Sequence, residues 1–144
     1  MILETGATVS HYELISCIGR GAMGEVWLAE DIRLGNRVVI KFIAPGISSE
    51  PEVRTRFLRE AKAIATVKHP GILSLLEFDE VDGRLFYVVD HMTGGSLRDQ
   101  TERATSEPIP WPVVLEWGLQ VAEALEAVHA EGLLHRDIKP ANLL

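Results

Sequence analysis

The chain has 144 residues, of which 47% are hydrophobic and 24% are charged, as is typical of a soluble globular protein with a sizeable core. Its formal net charge of −7 disfavours a nucleic-acid-binding protein, because such proteins more often present a basic face. No apolar run approaches the roughly 18 residues that span a membrane, and the N-terminus lacks the basic start and long apolar stretch of a signal peptide. We therefore expect a cytoplasmic, reducing setting.

Strands are predicted in the first half of the chain. Residues 1–11 are expected to form a flexible lead-in. Beyond them apolar and polar residues alternate, a pattern typical of half-buried strands. In the second strand Val26 and Leu28 share one face, and Trp27 and Ala29 share the other. The three predicted strands have the sequences YELISCIG, GEVWLAED and GNRVVIKFIA.

A helix is predicted over about residues 52–67. Its apolar residues recur at spacings of four, four and three, which gives one apolar stripe. Two further strands follow, ILSLLEFDEV and RLFYVVDHM, and Asp82-Gly83 between them is a strong hairpin signal. This part of the chain therefore predicts a five-stranded antiparallel sheet with one inserted helix. The stripe consists of Val53, Phe57, Ala61 and Ile64.

The remaining residues are predicted to be mainly helical. A Gly-rich break, TGGS, precedes a short helix near residues 97–102 and a long helix over about residues 112–130. Pro112 suits the first helical turn, and Gly132 suits a helix stop. The long helix carries a wide apolar face.

The segment GRGAMGEV, from Gly19 to Val26, fits the pattern G-x-G-x-x-G-x-V. Glycines let backbone amides approach a polyphosphate without a side-chain clash. A dinucleotide-binding fold would need a helix directly after the glycines, whereas the following residues alternate like a strand. A P-loop would need Lys and then Ser or Thr after Gly24, where Glu25 stands. The remaining interpretation is a flexible hairpin lying over phosphates.

Lys41 ends the apolar run VVIK and has two interpretations. Taken alone, such a lysine most often extends from a strand end into solvent. A lysine held against phosphate oxygens would need a carboxylate partner. Glu60 is a candidate, because it directly precedes Ala61 on the apolar stripe and so borders the buried side of the helix. A lysine–glutamate pair between strand and helix would explain both positions.

The segment HRDIKPAN, residues 135–142, brings a carboxylate, an amine and an amide close together. The carboxylate of Asp137 can accept a hydroxyl proton, and Lys139 can neutralise phosphate charge in a transition state. Asn142 offers an amide oxygen, a ligand that Mg²⁺ accepts. A solvated charged loop is the alternative, but H-R-D-x-K-x-x-N is a long and specific pattern.

Two further features favour ordinary interpretations. His129 and His135 lack the H-E-x-x-H spacing of a zinc site, and one lies on a predicted helix while the other lies in a loop. The single cysteine, Cys17, cannot form an internal disulfide, and we expect a packed, inert thiol.

In this order, the glycine motif, the lysine, the glutamate and HRDIKPAN resemble those of a protein kinase of the eukaryotic-like type. The resemblance covers the chain from Tyr12 to Leu144, and the segments YELISCIGRGAMGEVWLAED and HRDIKPANLL are most similar to serine/threonine kinases of bacteria. Lys139 indicates Ser or Thr as the acceptor. The implied fold is α+β: a kinase N-lobe and hinge over residues 12–92, with a five-stranded antiparallel sheet plus one helix, then an incomplete, mainly helical C-lobe over residues 93–144.

The resemblance also implies ATP and Mg²⁺ as cofactors and assigns roles to residues. Lys41 would contact the α- and β-phosphates and pair with Glu60. Asp137 would orient and deprotonate the substrate hydroxyl, Lys139 would stabilise the transferring phosphoryl group, and Asn142 would hold Mg²⁺. The residues implied to bind ATP are Ile18, Gly19, Arg20, Gly21, Ala22, Met23, Gly24, Glu25, Val26, Val39, Lys41, Val89, Asp90 and Met92.

Two departures from the family pattern bear on activity. Val39 stands where the family usually has alanine, so its extra methyl groups are expected to crowd the adenine. The sequence contains no D-F-G motif, activation loop or A-P-E motif, which follow the catalytic loop in the family. Residues 1–144 alone are therefore expected not to phosphorylate a protein, and the apolar face of residues 112–130 is expected to be exposed.

The implied partner is a protein substrate with Ser or Thr, with no nucleic acid and no membrane segment, and some relatives also dimerise through the back of the N-lobe. Three hypotheses stay open: part of an active kinase, a truncated module that binds nucleotide or a partner without catalysis, and a broken gene product. The intact motif residues favour the first, whereas the early stop favours the second. The coding sequence after Leu144 distinguishes the first from the others, and capture of a partner kinase separates the second from the third.

Overall fold

The computed structural model describes residues 2–22, 24–48, 51–104, 108–135 and 138–144. The described residues form six strands, four α-helices and one short 3-10 helix. In chain order these elements are β1 (Thr8–Val9), β2 (Tyr12–Gly21), β3 (Gly24–Asp31), β4 (Asn36–Ile43), α1 (Pro45–Ser48), α2 (Pro51–Thr66), β5 (Leu75–Val81), β6 (Arg84–Asp90), α3 (Leu97–Arg103), α4 (Trp111–Ala130) and the 3-10 helix (Pro140–Asn142).

All six strands belong to one antiparallel sheet with the order β1-β2-β3-β4-β6-β5. The last strand along the chain, β6, therefore lies between β4 and β5. The predicted hairpin between β5 and β6 is present, and both of its turn residues, Asp82 (φ 50°) and Gly83 (φ 74°), adopt the positive φ of a type I′ turn. The α+β fold class with an antiparallel sheet is confirmed.

The predicted five-stranded sheet gains a sixth strand, β1, within the segment assigned to a flexible lead-in. Thr8 and Val9 pair with Glu13 and Tyr12 of β2, and Val9 is fully buried in the core. The sequence analysis missed this strand because two residues are too short a run to show alternation.

The main core lies on one face of the sheet. Alternate residues of β3, β4 and β6 project from this face and are almost completely inaccessible to solvent, as the period of two along a strand requires. Trp27 and Ala29 share one face, as predicted, and that face is the core side. Val26 and Leu28 lie on the other side and are only half-buried. The core residues are Val9, Tyr12, Leu14, Trp27, Ala29, Val38, Ile40, Phe42, Phe86 and Val88.

A second, smaller cluster attaches helix α2 to the sheet. Phe57, on the predicted apolar stripe, is buried with Ile43 and Leu85, and Phe78 and Tyr87 pack against them. The ion pair between Arg54 and Glu80 also joins α2 to β5. Such a half-exposed ion pair contributes little by itself, so the aromatic contacts are the main attachment of the helix.

The chain divides into two compact units, residues 1–65 with 73–91, and residues 66–72 with 92–144. In the second unit α3 begins with a capping box, in which Ser96 Oγ accepts from the Asp99 amide and the Asp99 carboxylate accepts from the Ser96 amide. The amide of Leu97 donates to the carbonyl of Leu143 (2.7 Å), which ties the end of the described chain to α3.

Helix α4 is the longest helix, with 20 residues, all of them described, and none is buried. On the predicted apolar face Val114 and Leu115 are 50% and 54% exposed, whereas Val121, Leu125 and Val128 are half-buried, so the face is exposed only in part. Gly132 (φ 71°) follows the helix as the predicted stop. Among the helices of the described residues, none is both long and apolar enough to cross a membrane.

Candidate functional site

The half-open face of the sheet, opposite the main core, brings together several residues predicted from the sequence. Residues that are direct partners in neighbouring strands project to the same side of a sheet. Two such rows cross the sheet side by side. The first row is Gly19, Val26, Lys41, Tyr87 and Phe78, and the second is Ser16, Leu28, Val39, Val89 and Leu75.

This face is apolar and carries one amine. Val26 and Val39 are half-buried, and Val89 is buried. Lys41 is also half-buried, and it is directly opposite Val26 on one side and Tyr87 on the other. An apolar surface beside a positive charge can hold a flat, weakly polar ring together with an anionic group.

The Lys41 side chain contacts an aromatic ring. Its Nζ atom lies 5.7 Å from the centroid of the Tyr87 ring, within the range of a cation–π interaction. The ammonium group therefore lies over the Tyr87 ring on this face of the sheet. The side chain of Glu60, the predicted partner of Lys41, lies outside the described part of the chain.

The glycine-rich hairpin joins β2 to β3 next to this face. A Cβ atom at Gly24 would lie 1.9 Å from the carbonyl oxygen of Phe42, and the φ of +140° is one that L side chains rarely adopt. Only glycine fits there. A Cβ at Gly21 meets nothing within 4 Å, so that side of the hairpin tip is open for another group. Met23 lies outside the described residues.

Arg20 and Glu25 close the hairpin near its tip. They are direct partners in the two strands, and Arg20 Nη2 donates to Glu25 Oε2 at 3.0 Å. Trp27 Nε1 donates to the same oxygen at 3.2 Å, which connects the tip to the core. Hydrogen bonding to Glu25 raises the pKa of the Arg20 guanidinium above its usual value.

Cys17 and Ile18 precede the hairpin and are both exposed. The prediction of a packed thiol at Cys17 is wrong: the thiol is exposed, and its Sγ lies 3.4 Å from the carbonyl oxygen of Gly19, which accepts its weak hydrogen bond. Register shifts on either side of Cys17 interrupt the alternation of β2, so the position faces solvent. Ile18 is 54% exposed, and its role against adenine stays a prediction.

The predicted hinge residues follow β6. Asp90 is exposed and ends the strand opposite Val38, and Met92 is 47% exposed. Their predicted contacts with a base use backbone groups, so their side chains need no common orientation. Both roles stay predictions.

The predicted catalytic loop belongs to the second unit, and only part of it is described. Asp137 lies outside the described residues. Lys139 and Asn142 are exposed, and the amide of Asn142 donates to the carbonyl of Lys139 (2.8 Å) in the 3-10 turn. The described residues contain no group of three or more His, Cys, Asp or Glu side chains that could hold a metal ion. Asn142, the residue predicted to hold Mg²⁺, lies in the described part of the loop.

Sequence reasoning missed Tyr87 as a member of the half-open face. A signal for Tyr87 exists: it is two residues before Val89 in one strand, so the two share a face. What the sequence lacks is the pairing of β4 with β6, which sets Tyr87 opposite Lys41.

Comparison with known proteins gives consistent matches. A family model described as the protein kinase domain matches residues 12–144. The serine/threonine-protein kinase PknF of Mycobacterium tuberculosis is 38% identical over 144 residues, which is 100% of this chain and 30% of PknF. PknA of the same organism is 38% identical over 146 residues, or 98% of this chain and 34% of PknA. This chain thus spans about a third of the length of these two relatives.

A similar structure has also been solved. The crystal structure of the PknI kinase domain of M. tuberculosis superposes with a TM-score of 0.83 at 34% sequence identity. The superposition covers 100% of this chain and 59% of that one.

Proposed function

The chain belongs to the protein kinase family, and from that premise we propose that it forms the N-terminal part of a catalytic domain that transfers the γ-phosphoryl group of ATP to serine or threonine of a protein. The observation that carries the proposal is the row in which Gly19, Val26 and Lys41 are direct partners across β2, β3 and β4. A glycine hairpin, an apolar surface and an amine are thereby joined in one rigid sheet.

The nucleotide would bind to the part of the half-open face that Phe78 and helix α2 do not occupy. Val26, Val39 and Val89 offer apolar contacts for adenine, with Ile18 from β2 and the backbone of Asp90 and Met92 completing the base site. Compared with an alanine at this position, the extra methyl groups of Val39 would crowd the adenine. The hairpin of Gly19, Gly21 and Gly24 would cover the phosphates, with the amides of Arg20, Ala22, Met23 and Glu25 as hydrogen-bond donors.

Lys41 would bind the α- and β-phosphates and pair with Glu60. In the loop of residues 135–142, Asp137 would accept the proton of the substrate hydroxyl, and Lys139 would neutralise charge on the transferring group. Asn142 would ligate Mg²⁺, which, when bound, neutralises phosphate charge. Catalysis by these residues consists mainly of positioning and electrostatic stabilisation.

The substrate would be a protein that presents Ser or Thr, and the reaction would take place in the cytoplasm. Dimerisation through the N-terminal unit is a further proposal, which sedimentation of the purified protein would test. The expectation that residues 1–144 alone do not transfer phosphate also stays a prediction.

The test is a phosphoryl-transfer assay of the full-length gene product. Wild-type protein, given Mg²⁺ and ATP with a labelled γ-phosphate, should transfer the label to Ser or Thr of a generic basic protein substrate. The Asp137→Asn variant should lose roughly 10²–10⁴-fold in kcat, as expected for removal of a general base, and Lys41→Met should lose transfer together with ATP affinity.

Lys68→Met is the matched control, because Lys68 is an exposed lysine in the loop after α2. It should retain wild-type activity. Nucleotide binding without any transfer by the folded wild-type protein would reject the proposal in favour of a non-catalytic binding module. If the Asp137→Asn variant labelled the substrate at the wild-type rate, the role of Asp137 as proton acceptor would be rejected.

A further inference from the structure

Tyr87 occupies the centre of a set of contacts that the family motifs do not assign. It is the direct partner of Lys41 across β4 and β6, and its half-buried ring lies beneath the Lys41 ammonium group at 5.7 Å. A positive charge over a ring face is attracted by the negative potential of the π system. The contact uses the ring and does not require the hydroxyl group.

The Tyr87 ring also contacts helix α2. Phe57 of α2 stacks on it, with ring centroids 5.5 Å apart and an interplanar angle of 28°. Phe57 contacts Phe78 of β5 at the same centroid distance, with a tilt of 46°. Phe57 is buried, so the stack determines how this part of α2 rests on the sheet.

This stack has a consequence for the proposed lysine–glutamate pair. Position 60 comes three residues after Phe57 in the same helix, and residues three apart lie on neighbouring parts of one helix face. The rotation of α2 that seats Phe57 on Tyr87 therefore also sets where position 60 lies around the helix axis. The same ring that holds Lys41 is the surface on which α2 rests.

We propose that Tyr87 is a positioning residue that restrains the Lys41 ammonium on the sheet face and couples its place to that of helix α2. A lysine side chain has a flexible four-carbon stem, so its free amine samples many positions. The ring restricts those positions and so prepares the amine to receive phosphate. This inference rests on the proposed function for its kinetic consequence, but not for the contact itself.

The test compares three variants of the full-length protein. Tyr87→Phe keeps the ring and should behave like wild type within about twofold. Tyr87→Leu removes it and should raise the KM for ATP by about three- to tenfold, in line with a cation–π contact, with a smaller effect on kcat. Phe78→Leu is the matched control, because Phe78 shares the stack with Phe57 but is not the partner of Lys41; it should leave the KM for ATP within about twofold.

A second readout does not depend on catalysis. The rate at which an amine-acylating reagent modifies Lys41 at fixed pH, followed by peptide mass spectrometry, reports how strongly the amine is held. Tyr87→Leu should increase this rate by about three- to tenfold, whereas Tyr87→Phe and Phe78→Leu should not. Tyr87→Met replaces the leucine variant if that variant fails to fold, because its flexible side chain fills irregular space.

The outcomes separate the inference from the proposed function. If wild-type protein transfers no phosphate, the proposed function fails, and the acylation rates still decide the role of Tyr87. Equal acylation rates in Tyr87→Leu and Phe78→Leu would overturn the inference. Loss of ATP affinity in Tyr87→Phe to the extent seen in Tyr87→Leu would overturn it as well.

Discussion

The phenol of Tyr12 donates a hydrogen bond to Glu77 Oε2 at 2.7 Å, although the two residues are 65 positions apart in the chain. Tyr12 begins β2, near one edge of the sheet, and Glu77 is in β5 at the other edge. Three strands, β3, β4 and β6, separate β2 from β5, so a flat sheet would hold the two residues far apart. The sheet is therefore strongly curled, and this bond joins its opposite edges.

Other polar groups surround this bond. His11 Nε2 lies 3.5 Å from Asp31 Oδ2 and 3.7 Å from Glu77 Oε2, and Asp31 is buried. The other carboxylate oxygen of Asp31, Oδ1, accepts hydrogen bonds from the backbone amides of Arg33 and Leu34. The side chains of Tyr12, Glu77, His11 and Asp31 thus form a polar cluster beside the core at this end of the curled sheet.

We expect Tyr12→Phe to lower the free energy of unfolding of the chain by about 1.5 kcal/mol or more, because it removes a hydrogen bond to a charged group. Urea unfolding followed by circular dichroism measures the change. Glu77→Gln, which keeps an acceptor oxygen, should lower the free energy of unfolding by a smaller amount. An unchanged urea midpoint in Tyr12→Phe would show that this bond does not stabilise the curl.

Tyr12 should also make the stability of the chain fall at high pH. Burial, followed by the hydrogen bond and the charge of Glu77, raises the pKa of Tyr12 far above its usual value. In the unfolded chain tyrosine ionises near pH ~10. Below that pH the contribution of Tyr12 to stability is fully present. As the pH rises above it, ionisation of Tyr12 favours the unfolded chain, and this contribution is lost.

The measurement is the free energy of unfolding between pH 8 and 11, about the range in which free tyrosine titrates. The difference between wild type and Tyr12→Phe should shrink as pH rises. All other residues are the same in both proteins, so the difference reports Tyr12 alone. A difference that stays constant over this range would contradict the prediction.

Gly24→Ala should destabilise the hairpin by at least about 2 kcal/mol, because a non-glycine residue in such a backbone conformation costs about 1–3 kcal/mol and its Cβ would collide with the Phe42 carbonyl oxygen. Gly21→Ala is the matched control and should change stability by less than about 0.5 kcal/mol, because its Cβ meets nothing within 4 Å. Thermal unfolding of both variants tests the pair. Equal losses would show that the Phe42 contact is not what requires glycine.

Ser96→Ala should lower the stability of helix α3 by about 1 kcal/mol, because it removes the N-cap acceptor for the Asp99 amide. Hydrogen exchange at that amide should become faster. Ser96→Thr keeps the hydroxyl and should preserve protection. If the alanine variant exchanges at the wild-type rate, the cap does not hold the first turn.

Local signals in the sequence were sufficient for most elements. Asp82-Gly83 predicts its hairpin because few residue pairs adopt two positive φ angles, and the alternation in β3 predicts that Trp27 and Ala29 share one face. The glycine motif and Lys41 were found as separate motifs. Their position in one row follows from strand register, which the sequence alone does not specify.

Non-local structure accounts for what was missed. The pairing of β4 with β6, and hence the contact of Lys41 with Tyr87, joins strands that α1, α2 and β5 separate in the chain. The exposure of Cys17 depends on two irregularities in β2 that no residue pattern announces. A hydrogen bond such as that of Tyr12 with Glu77 appears only after the sheet has curled.

The place of β6 in the sheet has a consequence for synthesis on the ribosome. This strand is translated after the other five strands of the sheet, yet it lies between β4 and β5. Until Asp90 has left the ribosome, β4 has an open edge and β5 has no neighbour in the sheet. At roughly 5–20 residues per second, the nascent chain therefore exposes an unpaired strand edge for seconds, and a chaperone that binds extended apolar segments would meet the protein at this stage.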